Sequence, residues 1–221
     1  MRAFSRHPTL ANALADFIRD ENFPCVGAKS ALARAQITVV EAGDLRDDSS
    51  DQAILRTLYH FIARYRADSS LFSSFAVAFE GPGDLDEVQF EEVLWQRLAA
   101  LHQVDSLCYD WSPEVSPDPV SPRFGFSLGG MAFFIVGLHP NASRTARRFA
   151  HPAFIFNPHE QFEILRADGR YQRLKDVTVT RDSALDGFPN PMLAEHGSKS
   201  EAPQYSGREV GPDWRCPFRP V

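Results

Sequence analysis

Cysteine is scarce in this chain of 221 residues, which holds only Cys25, Cys108 and Cys216. An odd and sparse set of thiols argues against a disulfide framework and indicates reduced cysteines in a cytoplasmic protein. The longest apolar run, residues 131–136, is far too short to cross a bilayer, and the first 17 residues lack the apolar stretch of a signal peptide. We therefore expect a cytoplasmic protein without a membrane anchor.

Positive charge is also in short supply, because 23 Lys and Arg stand against 29 Asp and Glu and the formal net charge is −6. The one dense basic cluster, Arg144, Arg147 and Arg148, is too small to follow a nucleic-acid backbone, so nucleic acid is not an expected partner. Hydrophobic residues at 43% and charged residues at 24% match globular averages. A chain of this size and composition can form a core without a metal or a disulfide.

Helical spacing of apolar residues predicts amphipathic helices over residues 10–18 and 54–65. A third helix is expected to open at Asp84, where Glu87 completes the capping-box pattern, and to end near His102. These helices alternate along the chain with segments that have the two-residue period of strands.

Five short strands are predicted, and the clearest pair is a hairpin. Gly129-Gly130 offers the two positive φ angles of a tight turn between an alternating segment, 124–128, and a returning strand, 131–137. The other strands are expected at residues 37–40, 75–79 and 153–156.

The C-terminal tail is polar yet holds Tyr205, Trp214 and Phe218, which a solvated tail would not need, so we expect it to be an ordered loop region. Together the elements indicate an α+β fold. The predicted architecture is a single domain over residues 1–221, with a mostly antiparallel sheet of about five strands, flanking helices and that long ordered C-terminal region.

The end of the predicted hairpin carries a pattern that suits haem binding. His139 follows the strand and offers an axial ligand, while Arg144, Arg147 and Arg148 offer partners for the propionate groups. Two ordinary interpretations compete: a lone histidine often caps a strand through a hydrogen bond, and a run of arginines is often a solvated face. His139 is the first candidate for the haem ligand.

Cys25 is the alternative axial ligand. It precedes a predicted helical turn over residues 27–33 and lies close in sequence to Lys29, and both features favour a thiolate, the other ligand that haem oxygenases use. A small buried hydrophobe is the simpler interpretation of the same residue.

A second polar cluster begins where Asn157 predicts the N-cap of another helix. His159 and Glu163 lie four residues apart on that helix and share a face, so they offer two ligands for a non-haem metal. The second histidine of a zinc-protease motif is missing, and His159 could equally line a substrate pocket or cap its helix.

Two acidic residues in the polar C-terminal loop complete the set of candidate catalytic residues. A cationic guanidinium would need Glu195 or Glu201 opposite it in a bidentate pair. Loops of this composition often position polar substrates, although surface solvation gives the same composition. His159, Glu195 and Glu201 are therefore the predicted catalytic residues.

Long blocks spread over nearly the whole chain resemble the YqcI/YcgG family. The blocks are FPCVGAKSAL, LWQRLAALHQVD, FSLGGMAFFIVGLHPNASRTARRF, FNPHEQFE, NPML, SEAPQYSGR and WRCPF. The resemblance implies a haem-dependent N-oxygenase that holds haem b, similar to the enzymes that hydroxylate guanidino nitrogens of arginine-like amino acids in guanitoxin and related pathways. His139 and Cys25 both lie in these blocks, so the resemblance leaves the axial ligand open.

This resemblance implies a small substrate with a guanidino or amino nitrogen and O2 as the oxidant. No glycine fingerprint for a flavin or a nicotinamide is present in the sequence, so a separate redox partner is expected to supply electrons. Two alternatives stand beside this hypothesis. One is a non-catalytic haem carrier or sensor, and the other is a non-haem metal enzyme that uses His159 and Glu163.

Overall fold

A computed structural model describes residues 9–195 and 197–220 of the chain. The helices are α1 (Leu10–Arg19), α2 (Val26–Ala33), α3 (Asp51–Ala67), α4 (Glu87–Asp105), α5 (His159–Ala167) and α6 (Arg170–Asp186). The strands are β1 (Ile37–Asp44), β2 (Ser74–Gly81), β3 (Phe126–Leu128), β4 (Met131–Leu138) and β5 (Ala153–Pro158). No helix within the described ranges is long and apolar enough to span a bilayer.

The strands form one mixed sheet in the order β1-β2-β5-β4-β3. Strands β1 and β2 are parallel, whereas the other three pairings are antiparallel. Gly129 and Gly130 join β3 to β4 with φ angles of +59° and +66°, the left-handed conformations that the predicted turn requires. The predicted α+β class with a mostly antiparallel sheet of five strands is confirmed.

Helices cover both faces of this sheet. Strand β2 is buried on both sides, because Phe75 and Val77 pack into the larger core cluster with α3 and α4, while Ala76 and Ala78 pack into a smaller cluster with α1. Helices α5 and α6 pack against each other, and α2 contacts both α1 and α6. The sheet is therefore the middle layer of three.

The C-terminal segment is ordered and contributes to the larger core cluster, as predicted. Tyr205 is 0% exposed and Phe218 is 1% exposed. The buried carboxylate of Glu91 on α4 holds the segment in place, because it pairs with Arg208 and accepts a hydrogen bond from Trp214 Nε1 at 3.2 Å.

Two predicted helix starts are wrong. Helix α4 is capped by Asp86, whose side chain accepts from the Gln89 N–H at 2.8 Å, so the capping box lies two residues beyond the predicted Asp84–Glu87 pair. Asn157 does not cap α5, because β5 continues to residue 158 and the Asn157 side chain forms its hydrogen bonds within the sheet. The capping signal of α4 was therefore of the right kind but shifted in position, whereas the N-cap of α5 is Pro158, which forms no side-chain capping hydrogen bond.

Candidate functional site

A cavity of about 370 Å³ lies between the sheet and helices α1, α2, α5 and α6. Small-molecule and cofactor sites are typically of this size, mainly apolar, with a few polar groups that fix the ligand. The cavity is therefore the candidate functional site. Its apolar lining includes Leu14, Ile18, Phe134, Val136, Leu138 and Ile155.

Cys25 lies in the cavity wall at the N-terminus of α2. Its Sγ caps the helix by accepting a hydrogen bond from the Ala28 N–H at 3.4 Å. A helix N-terminus ordinarily lowers the pKa of a thiol, but here burial outweighs the Ala28 hydrogen bond and the nearby charge of Arg147, and the pKa of Cys25 is raised. The wall therefore presents a neutral thiol, which would lose its proton on binding a metal ion.

Arg147 brings a positive charge into the same wall. Its guanidinium donates to the carbonyl oxygens of Gly137 at 3.0 Å, Gln204 at 3.2 Å and Tyr205 at 3.3 Å. Burial lowers the pKa of Arg147 to about 10, so the group stays protonated at neutral pH. These three partners carry no formal charge, so the guanidinium is suited to pair with an anionic group of a ligand.

The other two arginines of the predicted cluster form contacts within the fold and do not belong to the described lining of the cavity. Arg144 is 5% exposed and pairs with the carboxylates of Asp182 and Asp186, which ties the 3-10 turn at residues 145–147 to α6. Arg148 is exposed and donates to two carbonyl oxygens of the preceding loop. Among the described residues, the predicted trio contributes Arg147 alone to the cavity wall.

His139 lies on the opposite face of the sheet from the cavity. Leu138 faces the cavity, and side chains alternate along a strand. The His139 ring therefore turns toward α4, where it stacks on Phe90 with 4.2 Å between the ring centroids. The ring is 1% exposed, and neither ring nitrogen has a hydrogen-bond partner within the described residues. Burial lowers the pKa of His139 to about 4, so the ring is neutral. Of the two predicted haem ligands, Cys25 is the one that lines the cavity.

The structure brings two of the predicted catalytic residues together, His159 and Glu201. Their Nε2 and Oε1 atoms lie 3.0 Å apart, and the buried Tyr205 hydroxyl donates to the same carboxylate oxygen. Burial and the Glu201 charge raise the pKa of Tyr205 well above its usual value. None of the three belongs to the described cavity lining, but they fix the segment whose carbonyls hold Arg147. Glu195 is exposed and separate from this trio.

The predicted His159–Glu163 metal pair has other partners. His159 contacts Glu201, as above, and the exposed Glu163 carboxylate pairs with Arg166 at 2.6 Å. Over residues 9–195 and 197–220, no group of three or more His, Cys, Asp or Glu side chains is arranged to hold a metal ion.

Several polar residues of the cavity wall were not predicted as site residues, and three of them lie on the sheet and on α5. They are Ser74 at the start of β2, Asn157 near the end of β5 and Gln161 on α5. A signal for Asn157 was present, because it lies two residues after the apolar Ile155 and therefore on the same face of β5. No local pattern marks Ser74 or Gln161, which reach the cavity only through the pairing of β2 with β5 and the packing of α5.

Comparison with known proteins identifies two similarities. The model of the YqcI/YcgG family matches residues 14–219. The chain is 27% identical over 217 residues to the protein named Uncharacterized protein YcgG of Bacillus subtilis (strain 168), a match that covers 93% of this chain and 85% of that relative. No solved structure matches the chain.

Proposed function

The chain belongs to the YqcI/YcgG family, and from this premise we propose that it is a haem-dependent N-oxygenase that hydroxylates a guanidino or amino nitrogen of a small amino-acid-like substrate. The observation that carries the proposal is the apolar cavity with the Cys25 thiol and the Arg147 guanidinium in its wall. Haem needs an axial ligand, basic partners for its propionates and an apolar slot, and these residues supply one of each kind. The residues present therefore fit the group.

When bound, haem would supply the activation of O2 and the transfer of one of its oxygen atoms to nitrogen. The hydroxylation consumes O2, a pair of electrons and a pair of protons, inserts one oxygen atom into an N–H bond and releases the other as water. The electrons would come from a separate redox partner.

The protein's own residues then have distinct tasks. Cys25 would hold the haem iron through its sulfur atom, and Arg147 would pair with a propionate of the bound group. Glu201 and His159 act as positioning residues, because the Tyr205–Glu201–His159 contacts fix the carbonyl groups that orient Arg147. The apolar wall keeps bulk water away from the reacting nitrogen.

Absorption spectra of the purified protein, expressed with a haem precursor, test the proposal. The oxidised, reduced and carbon monoxide-bound forms should show an intense Soret band, with the carbon monoxide form at the position typical of thiolate ligation. Cys25→Ser should lose haem or lose that thiolate signature. Cys108→Ser is the matched control, because Cys108 is an exposed thiol outside the described cavity lining.

A second comparison separates the two predicted ligands. His139→Phe should retain haem and its spectrum, because the ring faces α4. Loss of haem in His139→Phe together with retention in Cys25→Ser would move the ligand to His139 and away from the cavity. A six-coordinate spectrum with two protein ligands would favour the haem carrier, and failure to bind haem under any loading condition would reject the proposal.

A further inference from the structure

Helix α6 forms an outer wall of the cavity. One face of the helix borders the cavity at positions three and four residues apart: Tyr171, Leu174, Lys175, Thr178, Val179 and Asp182. The other face, with Arg173, Asp176 and Val177, is exposed to solvent. None of the residues of α6, all of which the structure describes, is buried. The helix therefore separates the cavity from solvent without being part of a packed core.

A glycine lies at each end of this helix. Gly169 precedes α6 with a φ angle of +75°, and Gly187 follows it with a φ angle of +78°. A Cβ added at either position would meet no atom of the described residues within 4 Å, so close packing is not the reason for these glycines. Hinges lie where the chain absorbs a change of backbone angles, and glycine does so at the least steric cost. The two glycines therefore allow α6 to move as a unit.

A buried ion-pair cluster holds the C-terminal half of α6 against the 3-10 turn at residues 145–147. Arg144 is 5% exposed, and its guanidinium pairs with Asp182 and Asp186, the latter with 3.0 Å between Nε and Oδ2. The Thr145 hydroxyl also donates to Asp186 Oδ1 at 2.7 Å. Breaking a buried ion pair is costly, because it leaves a charge without its partner. We call Arg144, Asp182 and Asp186 the latch.

Apart from the latch, little holds α6 against the rest of the molecule. Among the described residues, neither core cluster includes a residue of α6. The Tyr171 ring contacts Phe162 on α5, but this contact lies beside the Gly169 hinge, where a swing of the helix displaces it least. Segments with few buried apolar contacts open at a low free energy while the core stays folded. The latch is therefore the main barrier to outward movement of α6.

We infer that α6 is a lid, which opens at Gly169 and Gly187 to admit the occupant of the cavity and is held closed by the latch. The inference deepens the proposed function, and it rests on that function in naming haem as the group that passes the lid. The opening itself belongs to the protein without a bound group, so it can be measured separately from haem binding.

The rate at which Cys25 reacts with a bulky thiol reagent tests the inference, because this thiol lies in the cavity wall. The reagent is fluorescein-5-maleimide, and every protein carries Cys108→Ser to remove the exposed thiol. Arg144→Met removes the cation of the latch and should speed the labelling of Cys25 at least roughly tenfold. Arg173→Met, the same change on the exposed face of α6, is the matched control and should leave the rate unchanged.

Two further features separate opening of the lid from other causes of faster labelling. Loss of a positive charge does not activate a nearby thiol, so faster labelling does not report a more reactive Cys25. Cys216 is 6% exposed and belongs to the larger core cluster, so its labelling, resolved by mass spectrometry of peptides, reports general loosening of the fold. Asp186→Asn weakens the latch more mildly and should also speed the labelling of Cys25. It serves as the test if Arg144→Met does not fold, which circular dichroism shows.

The outcomes of this test are separate from those of the haem experiment. An unchanged labelling rate in the latch variants, an equal increase in Arg173→Met, or an equal increase at Cys25 and Cys216 would overturn the inference. A normal Soret band together with any of these results would leave the oxygenase proposal standing. The expected labelling pattern in a protein that never takes up haem would support the lid and reject the oxygenase.

Discussion

The buried ring of His139 makes stability depend on pH. Burial is the main reason that the pKa of His139 falls to about 4; Arg147 lowers it further, and Glu87 and Asp86 oppose the shift. An unfolded chain titrates its histidines near pH 6.5. As the pH falls from about 6.5 toward 4, the unfolded state therefore takes up a proton that the folded state excludes, and stability is lost over that window.

We predict that His139→Phe makes the protein less sensitive to acid, because phenylalanine keeps the stack on Phe90 and does not titrate. The difference between the two pKa values corresponds to roughly 3 kcal/mol of unfolding free energy near pH 4. Urea denaturation at pH 7 and pH 4 measures the loss in each protein. His60→Gln, an exposed change on α3, should behave as the wild type. Equal acid losses in the wild type and His139→Phe would contradict the neutral buried ring.

Arg147 is expected to control haem affinity without changing the ligand of the iron. Arg147→Met removes one charge-assisted contact, worth about 1.5–3 kcal/mol, so the affinity should fall roughly 10-fold to 100-fold. The Soret position should not change, because the axial ligand is untouched. Transfer of haem to an excess of apo-globin measures the loss, and Arg148→Met is the matched control because Arg148 is exposed. Equal retention in both variants would show that Arg147 is not a propionate partner.

Strand β4 approaches α4 so closely that position 137 has no room for a side chain. A Cβ on Gly137 would lie 2.7 Å from Leu94 Cδ1, 2.8 Å from Phe90 Cε1 and 2.9 Å from the Tyr205 carbonyl oxygen. Gly137→Ala should therefore reduce the free energy of unfolding by about 1–3 kcal/mol through overpacking. Gly43→Ala on β1 is the control, because no atom of the described residues lies within 4 Å of its added Cβ. Equal stabilities of the two variants would show that β4 can move away from α4.

The elements that the sequence predicted well are those with a strong local signal. The two-residue period and the Gly129-Gly130 turn identified β3 and β4, and helical spacing identified α1 and α3. Helix α6 was not predicted, because none of its described residues is fully buried and several line the cavity instead of a packed core. Its sequence therefore lacks a stripe of core residues.

The candidate site was predicted only in part, for a similar reason. Cys25 and Arg147 were predicted because a cysteine before a helix and a cluster of arginines are recognisable in a sequence as a possible haem ligand and possible propionate partners. His139 was assigned to the same site because distance along the sequence does not show on which face of the sheet a residue lies. Side chains alternate along a strand, so His139 lies on the opposite face from its neighbour Leu138, which lines the cavity. Ser74 and Gln161 reach the cavity through long-range pairing, which no single-sequence pattern reports.

The whole molecule is predicted to unfold as one domain over residues 1–221. The reason is that the C-terminal segment completes the core: Tyr205 and Trp95 stack with 5.4 Å between ring centroids, and Phe218 packs against Phe126 at 5.4 Å. A domain with one shared core should give coincident urea transitions by circular dichroism and by tryptophan fluorescence. Separate transitions would indicate two units.

Removal of residues 197–221 should therefore abolish the cooperative unfolding transition, because the remaining chain loses part of its core and not only a tail. Truncating a large buried aromatic side chain costs about 3–5 kcal/mol, so the loss of Tyr205 and Phe218 together approaches the whole stability of a typical domain. Removal of residues 220–221 alone is the control, because it leaves both aromatic side chains in place. A cooperative transition near the wild-type midpoint in the longer truncation would mean that the sheet and its helices form a complete core without the tail.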